Sequence, residues 1–206
     1  MVVCHVNHMI REEAKEDEEY VLKFCEKYNI ECFVKRIEIE KLSKEKRIGT
    51  EEAGRIARYE FFNEILGKTN SNKIATAHTA NDNAETVLMN LIRGTGTSGL
   101  KGIEAKRDNK FIRPLIECKR DEIEEYCELN KLDPKIDKSN SQSIYTRNKV
   151  RNILIPLIEN EFNPNIITSL NRMSKIIKEE NEYLEKQVER IYKEIVIDEY
   201  LGNKQL

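Results

Sequence analysis

Glycine and proline are scarce, cysteine pairs are missing, apolar stretches are short and the charge nearly cancels, and each shortage removes a class of protein. Eight glycines and four prolines in 206 residues are too few for a collagen-like or low-complexity chain. No apolar run approaches the ~18 residues that span a bilayer, so no membrane partner is expected. Met1–His8 has no basic region, long apolar core or small-residue cleavage site, so no secretory signal is read there and a cytoplasmic location is expected. The five cysteines (Cys4, Cys25, Cys32, Cys118 and Cys127) are odd in number and form no C-x-x-C pair. That argues against a disulfide framework, a zinc ribbon or a cluster site, and they read as small buried hydrophobes. With 35 Lys+Arg against 37 Asp+Glu the net charge is −2, so no whole-molecule field pulls in a polyanion and any nucleic-acid surface must be local.

What is present is an alternation of strand and helix signals, in a length between one large domain and two small ones. Met1–Val6 reads as a buried strand, and the acidic stretch from Glu12 leads into Val21, Leu22, Cys25 and Tyr28 at helical spacing. Glu31–Ile39 reads as a second strand. Thr50, followed by Glu51 and Glu52, reads as the cap of a helix through Leu66 that stops at Gly67. Lys73–Ala77 reads as a third strand, followed by Ala84, Val87, Leu88, Leu91 and Ile92 on one helical face ending at Gly94. The crossovers are too long for hairpins, so the expected fold class is α/β, a parallel sheet with helices on both faces, followed by a helical segment. Helices are expected at about Lys119–Asn130, Thr146–Glu159 and Asn165–Ile195. The last keeps its apolar spacing for more turns than one compact domain needs, as a docking or linking helix would.

In such folds ligands bind beyond the carboxyl ends of strands. Ala77–Thr86 lies at such an end and opens a helix. Asp82 and Glu85, three apart, share one face of its first turn, where they can cap the helix or hold a cationic group or a magnesium ion. Loss of either charge is expected to cost about 0.3–1 kcal/mol if the site is a simple helix start. The glycine-rich Arg93–Gly99 follows a helix instead of joining a strand to one, and reads as a helix stop with a tight connection. No acidic residue lies between Lys138 and Ile158, while Lys138, Tyr145, Arg147, Lys149 and Arg151 recur, a pattern suited to phosphate contact with one stacking ring or to a solvated face. Lys101–Arg120 adds seven basic residues against three acidic ones.

Taken together the motifs resemble the tRNA(Ile)-lysidine synthetases, members of the PP-loop ATP pyrophosphatase superfamily. The blocks are His5-Val6-Asn7-His8 with Arg11, Glu51–Tyr59, Ala77-His78 with Asn81-Asp82 and Glu85-Thr86, Arg93–Gly96, Ile112–Leu115, and Tyr145-Thr146-Arg147-Asn148. The resemblance implies that ATP adenylates the C2 oxygen of the wobble cytidine of tRNA(Ile), after which the ε-amine of L-lysine displaces AMP. ATP and Mg²⁺ are the implied cofactors, and a homodimer is left open. By the same resemblance Asp82 and Glu85 meet the lysine ammonium, and Arg58 faces the lysine carboxylate or a phosphate. His5, Asn7 and His78 lie on the ATP side, and Arg113, Tyr145, Arg147, Asn148 and Arg151 hold tRNA.

The chain departs from the family in three ways. The S-G-G-x-D-S phosphate loop, expected a few tens of residues before Met1, is not among the 206 residues, and the loss of its strand would leave an unpaired edge prone to association. Longer members continue into tRNA-binding domains. Gly54 stands where alanine is commoner, and Thr79 where a second histidine often sits. The expected organisation is an incomplete PP-loop domain over 1–130, a basic tRNA-contact segment over 131–164 and a linker helix over 165–206. A catalytically inactive, tRNA-binding remnant is the alternative. A thiolating relative is disfavoured by the missing cysteine pairs.

Overall fold

The computed structural model describes residues 1–10, 13–135 and 146–202, with side chains of the last helix through 196. The chain divides into two compact units, the first built on Met1–Ala75 and Arg107–Ile112, the second on Thr76–Lys106, Arg113–Leu132 and the C-terminal helices.

In the first unit β1 (Val2–Asn7) leads through α1 (Ala14–Lys27) to β2 (Glu31–Arg36), which pairs with β1 in parallel from Val2 opposite Glu31 to Asn7 opposite Arg36. A parallel pair needs a crossover, and α1 supplies it. The second strand stops three residues short of its expected end, because Ile39 opens a helix that the alternating pattern concealed. In that helix, α2 (Ile39–Lys46), Ile39 is fully buried against Ala53 and Ala57 of α3 (Thr50–Lys68). Thr50 is the first residue of α3 and makes no capping bond; extended Gly49 holds the cap position. The helix also runs through Gly67 to Lys68. Gly54, inside α3, sits at a close approach: a Cβ there would lie 2.7 Å from Cε1 of His8. The third strand shrinks to β3 (Ile74–Ala75), which pairs in parallel with β5 (Phe111–Ile112), while β4 (Lys106–Arg107) lies on the far side of β5. β3 is short because the partner strand is itself only two residues long.

In the second unit α4 (Ala80–Ile92) is followed by α5 (Thr97–Leu100) and α6 (Arg120–Leu129). The expected Thr146–Glu159 helix is present in three pieces: α7 (Thr146–Lys149), a π-helical segment (Val150–Leu154) and α8 (Ile155–Glu161). The long helix α9 (Ile166–Gly202) closes the chain. Ala84, Val87 and Leu88 of α4 pack on Val150, Ile155 and Leu170 to form the core of this unit. At ~1.5–3 kcal/mol per buried aliphatic side chain, that face of α4 orders the site-bearing helix. Beyond Asn181 the apolar positions of α9, among them Leu184, Val188, Ile191 and Ile195, are exposed. The fold is thus α/β with parallel strand pairs and a helical segment after them, as the sequence indicated. All five cysteines are free. No described helix is long and apolar enough to cross a membrane.

Candidate active site

The start of α4 is shaped by a reciprocal cap. The Thr79 backbone N–H donates to Asp82 Oδ2 at 2.9 Å, and the Asp82 N–H donates to Thr79 Oγ1 at 3.3 Å. Two of the orphan N–H groups of a helix start are thereby satisfied. Asp82 therefore does act as a helix cap, but only one of its oxygens is used for this. The other, Oδ1, accepts from Nη2 of Arg147 at 2.9 Å and of Arg151 at 3.1 Å.

Glu85, one turn further on, is 1% exposed. Its Oε2 accepts from Arg147 Nε at 2.7 Å and from Arg151 Nη2 at 3.0 Å, and its Oε1 from Arg151 Nε at 2.5 Å. A buried carboxylate is costly unless paired and hydrogen-bonded; here two guanidiniums, each forked across both acids, supply the compensation. The D-x-x-E spacing on α4 meets the R-x-x-x-R spacing on α7 and the π-helical segment, one helical face against another. Burial works against the charge on Arg151, but the hydrogen bonds and charges of Glu85 and Asp82 outweigh it and hold the guanidinium above its ordinary value. The four charges cancel, and all four carboxylate oxygens are engaged. A cationic ligand therefore reaches these acids only by displacing a guanidinium.

The other expected site residues are dispersed. Arg58 is exposed on α3 in the first unit, and its guanidinium has no acidic partner among the described residues. His5 lies on β1, where burial lowers its pKa against the opposing pull of Glu18 and Asp17. Asn7 is buried and occupied: its amide donates to the Ala14 carbonyl at 3.0 Å and to Glu18 Oε2 at 2.9 Å, and its oxygen accepts from the Met9 N–H. His78 Nδ1 lies 2.9 Å from Thr76 Oγ1. Arg113 is buried, and its guanidinium donates to the Glu104 carbonyl. Asn148 is half-buried on α7. Tyr145, like Arg11 and Lys138, lies outside the described residues.

Sequence reasoning placed Asp82 with Glu85 and Arg147 with Arg151, but did not join the two pairs, although their complementary spacings were visible. It also missed Glu18, buried and gripped by Arg36 Nη2 at 2.7 Å and Nε at 3.0 Å. Those hydrogen bonds are the largest cause holding the Glu18 carboxyl at about 2.

Magnesium finds no fit here, because the Asp82 and Glu85 oxygens are taken by two arginines and the Thr79 cap, and no set of three His, Cys, Asp or Glu groups gathers to hold a metal among the described residues.

Parallel strands joined through helices, with a built ionic cluster at the start of the helix after a strand, define an α/β protein of the parallel-sheet class. Within that class the chain belongs to the PP-loop domain family, whose model matches residues 1–158. It is similar to the tRNA(Ile)-lysidine synthase of Clostridium acetobutylicum, 53% identical over 191 residues, which is 92% of this chain and 41% of the relative. It is also similar to that of Clostridium perfringens, 49% identical over 197 residues, 95% of this chain and 42% of the relative. The chain thus spans about two fifths of the length of these curated relatives. Among solved structures it resembles the U34-tRNA thiolase NcsA from Methanococcus maripaludis, determined with its [4Fe-4S] cluster, at a TM-score of 0.66 and 22% identity over 85% of this chain and 61% of that one. At that identity the likeness is one of fold.

Proposed function

We propose that the chain serves tRNA modification, as the body of an enzyme that uses ATP to ligate L-lysine to the wobble cytidine of tRNA(Ile). The carrying observation is close similarity along nearly the whole chain to lysidine synthases, joined to an ionic cluster in which two acids are paired with two guanidiniums. In this reading residues 1–130 form the nucleotide-handling body, 131–164 contact tRNA and 165–206 link onward. The cytidine C2 oxygen takes the AMP moiety and pyrophosphate leaves. The lysine ε-amine then bonds to C2, AMP departs with the C–O bond electrons, and the amine proton passes to a base.

Asp82 and Glu85 receive the lysine ammonium, whose charge matches the guanidinium it displaces. Arg147 and Arg151, once released, turn to tRNA phosphate, and Tyr145 and Asn148 serve the same partner. Arg58 serves the lysine carboxylate or a phosphate, and His5 and His78 the ATP side. ATP needs a preorganised N–H cradle for its triphosphate, and S-G-G-x-D-S is not among these 206 residues. The complete pairing of Asp82 and Glu85 with Arg147 and Arg151, which needs no ligand, favours a second reading, a non-catalytic tRNA-binding chain.

Labelled lysine, ATP and a tRNA(Ile) transcript with a wobble cytidine test both readings. The enzymatic one expects label in tRNA and AMP release from a version joined to an S-G-G-x-D-S strand-loop segment, and neither from the 206 residues alone. Tight tRNA binding with no transfer in either version would leave only the second.

A further inference from the structure

On the face of α4 turned away from Asp82 and Glu85, the second unit holds a cavity of about 460 Å³ between the Lys101–Lys119 stretch and α9. Its lining carries five cations, Lys101, Lys119, Arg172, Lys175 and Lys178, against one acid, Glu117. This concentration stands in a chain whose net charge is −2. Two of the cations are already answered: Lys101 by Glu185 at 2.8 Å, and Lys178, more loosely, by Glu182 at 3.8 Å. Lys119, Arg172 and Lys175 have no acidic partner among the described residues. Arg172, Lys175 and Lys178 recur every three residues and so follow α9 for about 9 Å of its axis.

The polar floor behaves differently. Asn83 Nδ2 donates to Asn171 Oδ1 at 2.8 Å, Asn83 Oδ1 accepts from the Ile103 N–H at 2.6 Å, and Ser174 Oγ donates to the Lys101 carbonyl at 2.7 Å. These groups spend their hydrogen bonds on the protein, so they offer little to read a base edge. The groups left over are positive and at the rim, while Ile103, Ile116 and Ile167 give an apolar wall. A cavity of this volume is of ligand size, larger than a lone inorganic anion requires. Charge without hydrogen-bond readout is how proteins bind nucleic-acid backbone.

We propose that this cavity is a docking site for the sugar-phosphate backbone of RNA, with Arg172, Lys175 and Lys119 as its phosphate contacts, separate from the Asp82/Glu85 cluster. The choice of RNA over another polyanion rests on the tRNA-modification reading. Binding of a fluorescent tRNA(Ile) transcript to the 206-residue chain is measured across a salt series for the native protein, for Arg172→Gln/Lys175→Gln, and for Lys186→Gln/Arg190→Gln, an equal charge change further along α9. Arg172 and Lys175 are exposed, so the melting temperature should not move. The first double variant should weaken binding and lower the slope of log affinity against log salt by about two units, one per lost phosphate contact. The second should leave both near native values.

An unchanged slope for Arg172→Gln/Lys175→Gln, an equal loss in the control, or no RNA binding by the native chain would overturn the site. Lysine transfer in the loop-bearing version with an unchanged slope would sink the site and leave the lysidine reading standing. A lost slope with equal affinity for an unrelated RNA and no transfer would keep the site and sink the lysidine reading.

Discussion

At the residue scale the main result concerns Glu85. Read as part of a helix start, its charge was expected to be worth ~0.3–1 kcal/mol; buried under two guanidiniums, it is worth more. Glu85→Gln leaves Arg147 and Arg151 short of a counter-charge. It should cost about 2–3 kcal/mol, below the ~3–5 of a fully buried pair because the arginine side chains are 33% and 25% exposed. Urea denaturation of the variant beside Asp82→Asn checks this, and a loss under 1 kcal/mol for Glu85→Gln would show that the cluster is only a cap. Glu18 gives a pH signature. Its folded carboxyl sits at about 2, whereas an unfolded glutamate titrates near ~4.3. The unfolded chain therefore binds the extra proton between those values, so the Glu18–Arg36 contribution is complete above about pH 4.5 and drains away as pH falls toward 2. Denaturation at pH 5 and pH 3 should show Glu18→Gln with a flatter acid dependence than the native protein. Gly54 offers a paired test. Alanine in a helix interior is ordinarily worth ~0.5–1 kcal/mol over glycine, but here its Cβ meets the His8 ring at 2.7 Å. Gly54→Ala should be neutral or destabilising alone and stabilising in a His8→Ala background.

At the scale of elements, the second unit depends on what crosses between α4, the loop after α5, and α9. Asn83 is the joint: it reaches Asn171 on α9 and the Ile103 N–H after Gly102. Gly102 has φ +67°, and a Cβ there would fall 2.1 Å from Asn83 Oδ1. Gly102→Ala combines a left-handed backbone with that clash, so it should lower the melting temperature more than Asn83→Ala, which leaves buried groups without partners at ~1–3 kcal/mol. The reverse order would mean the loop adjusts freely. The helical order after β3 was legible because α4 carries a clean i, i+3, i+4 apolar face and α9 repeats one for many turns. The helix over Ile39–Lys46 was not, because β-branched Ile37 and Ile39 read as strand until their burial against α3 is known. The same holds for the shortness of β3, which its partner decides.

At the scale of the whole molecule, near-neutral charge leaves recognition to local patches, and the open strand edges leave association to the sheet. β1 pairs only with β2, and β3 only with β5, among the described strands. A cavity of about 390 Å³ lined by Val2, Val3, Phe62, Leu66 and Ile74 lies along them. Unpaired edges beside apolar surface favour association, so light scattering of the 206-residue chain should show mass rising with concentration; a constant monomer mass would mean the edges are protected. From the sequence alone came the α/β class, the helix start carrying Asp82 and Glu85, the basic recurrence at Arg147 and Arg151, and the family resemblance. All of these rest on local periodicity and spacing, which a chain displays before it folds. Only the tertiary structure decided that the two acids and the two arginines are one cluster, that Asn7 is spent on the protein's own groups and Arg113 buried against the Glu104 carbonyl, and that Arg172 and Lys175 share a cavity with Lys119. Whether the partners lie 62–69 residues apart, as the acids and arginines do, or only 7–11, as for Asn7 and Arg113, the pairing is set by packing and by the cost of burying charge alone, and neither is written in local spacing.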